Sequence, residues 1–153
     1  MTQSGDRISA LGLDVGKKRI GVAGCDGTGL IATGLTTIER RSFAEDAAQL
    51  QALATERQAR LLVVGLPYNM SGTLGFQAQQ VQRFANRLAA VLELPVEYVD
   101  ERLTSIEAEG LIQADRRASV RQKGLVDRKA AAIILQRWLD ERRAKRQQPE
   151  AEP

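Results

Sequence analysis

Histidine is missing from this chain altogether, and cysteine occurs once, at Cys25. Without imidazole, neither His-based acid–base catalysis nor a His-ligated zinc site is available. A cysteine nucleophile would lack its usual partner base. A single thiol also excludes an internal disulfide framework and suits a reducing cytoplasm. No apolar run approaches the roughly 18 residues that a membrane helix needs. The opening Met1-Thr2-Gln3-Ser4-Gly5-Asp6-Arg7 lacks the apolar core of a secretory signal. These absences leave carboxylates, hydroxyls, Lys and Arg for chemistry. The metals that carboxylates prefer are hard ones such as Mg2+ or Mn2+.

What is present fits one globular domain. The 153 residues are 43% hydrophobic and 27% charged, enough to build a core and cover it. Net charge is only +3, so its distribution matters more than its sum. Cations cluster at Lys17-Lys18-Arg19, Arg40-Arg41, Arg116-Arg117 with Arg121 and Lys123, Arg128-Lys129 and Arg142-Arg143-Ala144-Lys145-Arg146. Such clusters suit a polyphosphate partner. The last also suits a solvated helix C-terminus, where cations complement the dipole.

Two apolar runs, 10–15 and 20–23, flank a tight turn and predict a hairpin, and Leu30 to Ile38 reads as a third strand. Ser42-x-x-Glu45 is a capping box that opens a helix. Leu61-Leu62-Val63-Val64 is wholly apolar, the mark of a central parallel strand. The loop from Gly65 to Thr73 follows it, then a helix with Val81, Phe84, Leu88 and Val91 on its inner face. Val96 to Val99 forms a fifth strand that ends at Asp100-Glu101. Thr104-x-x-Glu107 caps a shorter helix through Ile112. Residues 115–124 are basic without an apolar period and read as a mobile loop. The last helix is predicted from about Asp127, with Trp138 in the core. The order predicts an α/β domain over 8–146, a mixed sheet of five strands with helices on both faces, between disordered ends at 1–7 and 147–153.

Asp14 stands out because it lies in an otherwise apolar strand. A carboxylate there needs a cation or a donor network to offset lost hydration, unless it merely caps its own turn. Reactive groups gather at the carboxyl ends of strands in such a sheet, and Asp100 and Glu101 lie at the end of the fifth. Successive strand residues face opposite ways, so one of the two meets Asp14. Glu101 is favoured for its longer arm, with Asp100 kept as the alternative. Asp127, Ala131, Ile134 and Trp138 follow at i, i+4, i+7 and i+11, which puts a third acid on the inner stripe of the last helix, or at its N-cap. Asp14, Glu101 and Asp127 with two hard cations match the requirements of phosphodiester hydrolysis. Lys17, Lys18 and Arg19 would hold substrate phosphates, and the 116–123 segment, with Arg121 and Lys123, could close over them.

Four segments carry a family pattern: Gly12-Leu13-Asp14-Val15-Gly16 with Arg19-Ile20-Gly21-Val22-Ala23; Val64-Gly65-Leu66-Pro67 with Asn69-Met70 and Gly72-Thr73; Asp100-Glu101-Arg102-Leu103-Thr104; and Val126-Asp127 with Ala130-Ala131 and Ile133-Ile134-Leu135. In this order the chain resembles the YqgF (RuvX) family, relatives of the RuvC Holliday-junction resolvases within the RNase H-like superfamily. The resemblance implies an RNase H-like fold and a divalent-metal nuclease site at Asp14, the Asp100–Glu101 pair and Asp127. It also implies a role in processing the 5′ end of pre-16S rRNA during ribosome biogenesis, with structured RNA or ribosomal precursor particles as partners. Branched DNA is the alternative substrate, and a non-catalytic assembly or transcription factor the alternative class. Asn69, Thr73 and Arg102 become candidates for holding phosphates or bases. The fourth strand carries no acid where resolvases place one, and Ala130 stands where they offer a second helix acid. The expected protein is cytoplasmic, free of membranes, and a monomer or weak homodimer.

Overall fold

The computed structural model describes residues 8–67, 74–100 and 120–147, apart from the side chains of 120–123 and 146–147. Five strands form one mixed sheet: β1 (Ala10–Val15), β2 (Arg19–Cys25), β3 (Ala32–Glu39), β4 (Leu61–Leu66) and β5 (Val96–Asp100). Their order across the sheet is β3-β2-β1-β4-β5, with β1, β2 and β3 an antiparallel meander and β4 and β5 parallel to β1. The β1–β2 turn closes where the Gly16 N–H donates to the Arg19 carbonyl at 2.9 Å.

Alternation along each strand divides the side chains between two cores. Leu11, Leu13 and Val15, with Ile20, Val22, Leu62, Val64 and Leu66, pack beneath α1 (Phe43–Arg57) and α2 (Phe76–Leu92). Ala10, Ala23, Cys25, Leu61, Val63 and Val99 face α3 (Val120–Gln147) through Ala131, Ile134, Leu135 and Leu139. β4 is buried along its whole length, as its apolar sequence requires of a strand covered on both faces. The Ser42 hydroxyl accepts from the Glu45 N–H at 3.1 Å and starts α1 as the capping box predicts.

Four expectations change. The helix expected from about Asp127 begins at Val120, inside the segment read as a loop. The stretch has no apolar period for the sequence to show, and its backbone meets β3 at Gly124, whose carbonyl accepts from the Thr37 hydroxyl at 2.5 Å. The third strand starts at Ala32 rather than Leu30, because Asp26 ties the preceding turn by accepting from Thr28 and from the Leu30 N–H. Val91 is exposed, since the buried stripe of α2 runs through Ala78, Val81, Ala85, Leu88, Ala89 and Leu92. Trp138 is only partly buried and donates its Nε1–H to Glu97 at 2.9 Å. The short helix after Thr104 and the ends at 1–7 and 148–153 lie outside the described residues, while α3 runs through Gln147.

Candidate nuclease site

The face of the sheet under α3 is shaped by missing side chains. A Cβ on Gly12 would sit 2.7 Å from the Leu135 Cβ and 3.1 Å from the Ala131 carbonyl oxygen. One on Gly21 would overlap the Asp127 carbonyl. The helix backbone therefore rests directly on β1 and β2, a distance that any larger residue would forbid.

This contact brings two of the predicted acids together. Asp14 is the register partner of Gly21, so it stands on the same face of the hairpin, beside the point where the Asp127 backbone touches Gly21. Asp14 is half-buried near the carboxyl end of β1. Arg19, at the start of β2, donates Nε–H to Asp127 Oδ2 at 2.6 Å, both side chains being 21% exposed. A short, partly buried, charge-assisted bond of this kind fixes the acid and supplies it with a cation. Asp127 is thus not a plain N-cap, since α3 begins seven residues earlier; one turn before Ala131, it lies on the face of α3 that rests on the sheet, as the i, i+4, i+7 spacing predicts.

The fifth strand separates the remaining pair. Val99 faces α3 and Glu97 meets Trp138 there, so odd positions of β5 share a face with Asp14. Asp100 belongs to the even series with Val96 and Tyr98, which pack toward α1 and α2. Glu101, Arg102, Asn69 and Thr73 lie outside the described residues, and Arg121 and Lys123 are placed in the first turns of α3 by backbone alone. Lys17 and Lys18 are exposed in the β1–β2 turn. Among the described residues, no three His, Cys, Asp or Glu side chains group as a metal site. Two carboxylates on one face, one of them already neutralised by a guanidinium, are a donor set that suits a hard cation once a third oxygen ligand joins. Also at the carboxyl end of β1, on the opposite face, Arg40, Arg41, Arg83 and Arg87 line a cleft. Arg40-Arg41 is visible as a cluster in the sequence, and Arg83 and Arg87 stand at i and i+4, but only the fold brings the two pairs to one cleft.

A family model described as RuvX, Holliday junction resolvase, matches residues 8–141. The chain belongs to the RuvX family. A relative from Crocosphaera subtropica is 70% identical over 114 residues, 74% of this chain and 80% of its own length. One from Rippkaea orientalis is 69% identical over 114 residues, 74% of this RuvX-family chain and 82% of the relative. Both carry the name "Putative pre-16S rRNA nuclease". Among solved structures, T. thermophilus RuvC in complex with a Holliday junction substrate superposes with a TM-score of 0.55 at 13% identity, covering 89% of this chain and 96% of that one. A second T. thermophilus RuvC structure gives 0.53 at 13% identity, over 90% and 97%. At such identity the likeness concerns the fold, which is RNase H-like. No described helix of this RuvX-family chain is long and apolar enough to cross a membrane.

Proposed function

We propose that the chain is a divalent-metal-dependent endonuclease that cuts precursor 16S rRNA in the cytoplasm, acting on structured RNA or on ribosomal precursor particles. The observation that carries this reading is the meeting of Asp14 and Asp127 on one face of the sheet, with Arg19 bonded to Asp127. The names of relatives about 70% identical support the substrate.

Asp14, Glu101 and Asp127 would hold the cation, Mg2+ or Mn2+. Glu101 is preferred to Asp100 for its longer arm, and because Asp100 belongs to the series with Val96 and Tyr98 that packs toward α1 and α2. The bound metal would supply an activated water and stabilise charge on the departing oxygen. Arg19 holds Asp127 in place and keeps the paired carboxylates from repelling an approaching phosphate. Lys17 and Lys18, exposed beside Asp14 in sequence, receive the backbone phosphates, with Arg102, Asn69, Thr73, Arg121 and Lys123 as further contacts. The whole set comes from one copy of the chain, which suits a monomer or a weak homodimer.

The test incubates purified protein with a precursor 16S RNA fragment and, separately, with a four-way DNA junction, in Mg2+ and in Mn2+. RNA cut at a discrete site, with no product in chelator, is the expected result. Cleavage of the junction alone would transfer the reading to DNA. Binding of RNA without cleavage under either metal would make the chain a binding factor.

A further inference from the structure

The β1–β2 turn has two sides, and only one faces the acids. On the other, α1 and α2 begin next to one another and leave a cleft of about 920 Å³ floored by Val15, Gly16 and Val81. Lys17, Arg40, Arg41, Arg83 and Arg87 all line it. The acid among its described lining residues, Asp46, is 2% exposed and already engaged, accepting from the Arg41 N–H at 3.1 Å with Arg40 Nε at 3.9 Å. The wall is therefore strongly cationic.

Two of these guanidiniums lie over rings. Arg40 sits 4.6 Å above Phe84 and Arg87 3.8 Å above Phe43, and the two rings meet edge to face with centroids 5.8 Å apart. Ring stacking holds both arginines in place, so less freedom is lost when they take up a phosphate. A third ring, Phe76, opens α2 with 71% of its surface exposed, in a first turn that carries no acid. An exposed phenyl beside five cations suits a partner that brings both anionic groups and flat apolar faces. A single polynucleotide strand does so, because its bases are free to stack on the ring, whereas a duplex keeps them paired.

We propose that this cleft binds single-stranded RNA, the segment that flanks the bond cut at the candidate site. The path between them is short in the chain: Gly16 follows Asp14 by two residues, and Arg40 Nη1 donates to the Gly16 carbonyl at 2.6 Å. The location beside the site rests on the nuclease reading; the binding itself does not.

The experiment measures fluorescence anisotropy of a labelled, unstructured RNA of about 12 nucleotides in chelator, where no cleavage interferes. Circular dichroism checks that each variant is folded. The double variant Arg83→Ala/Arg87→Ala should bind on the order of tenfold more weakly, with a salt dependence shallower by about one to two ion equivalents. Phe76→Ala should weaken the single strand by roughly tenfold and leave the salt slope alone. Blunt duplex RNA of equal length should ignore Phe76→Ala, and Arg83→Lys/Arg87→Lys should restore the parental salt slope but only part of the affinity, because lysine keeps the charge and loses the stacked fork. Parental affinity in both Ala variants would overturn the proposal. So would inorganic polyphosphate competing as well as RNA, or duplex losing as much as single strand on Phe76→Ala. Weakened binding in a protein that cuts no RNA in Mg2+ would leave the cleft standing and remove the activity. Cleavage by a protein whose cleft variants bind normally would do the reverse.

Discussion

Arg19 and Asp127 are joined across 108 residues of chain by one bond of 2.6 Å, each side chain about four-fifths buried. A bond of this class contributes about 1.5–3 kcal/mol, and removing one partner leaves the other charge poorly solvated. Arg19→Ala is therefore expected to destabilise the fold by about 2 kcal/mol in urea unfolding, and a cycle with Asp127→Asn to show that most of the loss is shared. Tyr98 gives a second expectation. Burial pushes its phenol above the ordinary value of 10.0, while the hydroxyl donates to Asn86 at 2.6 Å. The neutral form is the one the fold favours, so this contribution is complete below the unfolded value and disappears as pH rises through the folded one. Stability should fall more steeply in the parent than in Tyr98→Phe when urea unfolding is followed from about pH 9 to 11. At this scale the sequence showed where the carboxylates are but not their partners. That Arg19 turns to Asp127 instead of toward a substrate depends on how closely α3 settles, and no local pattern encodes that.

The helices and strands were legible wherever local chemistry decides them. Ser42 caps α1, β4 is apolar throughout, and the hairpin turns where Gly16 stands. They were illegible where no local period marks them: the first turns of α3 have no amphipathic pattern, and the contact given there, Thr37 of β3 on the Gly124 carbonyl, comes from distant chain. Gly12 and Gly21 read as ordinary strand glycines, yet they set the seat of the helix. Gly21→Ala should destabilise by about 3 kcal/mol, since the clash is with backbone and α3 must move off the hairpin. Loss of thermal stability together with release of Asp127 from Arg19 would be seen by calorimetry and by NMR of the Arg19 Nε–H. The reverse change is available at a helix end. Gln58 closes α1 in the left-handed region at φ 54, where glycine is unstrained. Gln58→Gly is expected to stabilise by about 1 kcal/mol, read as a rise in melting temperature.

For the molecule as a whole, the sheet order and the two helical layers put one end of the sheet to two uses. Acids collect beneath α3 and cations collect between α1 and α2, with the β1–β2 turn between them. Five strands in mixed array, helices on both faces and the RNase H-like likeness were all readable from strand order and motif. The cationic cleft was not, because Arg40 and Arg83 come from elements that only the folded chain makes neighbours. In the proposed nuclease, Asp14 anchors the site that cuts RNA. The most direct test of this is the single-turnover rate on a precursor 16S RNA fragment in Mg2+ for the parent and for Asp14→Asn, which keeps the shape and removes the charge. A fall of about a thousandfold is expected, equivalent to about 4 kcal/mol in the barrier, with RNA affinity in chelator unchanged. Cleavage by Asp14→Asn at the parental rate would contradict it.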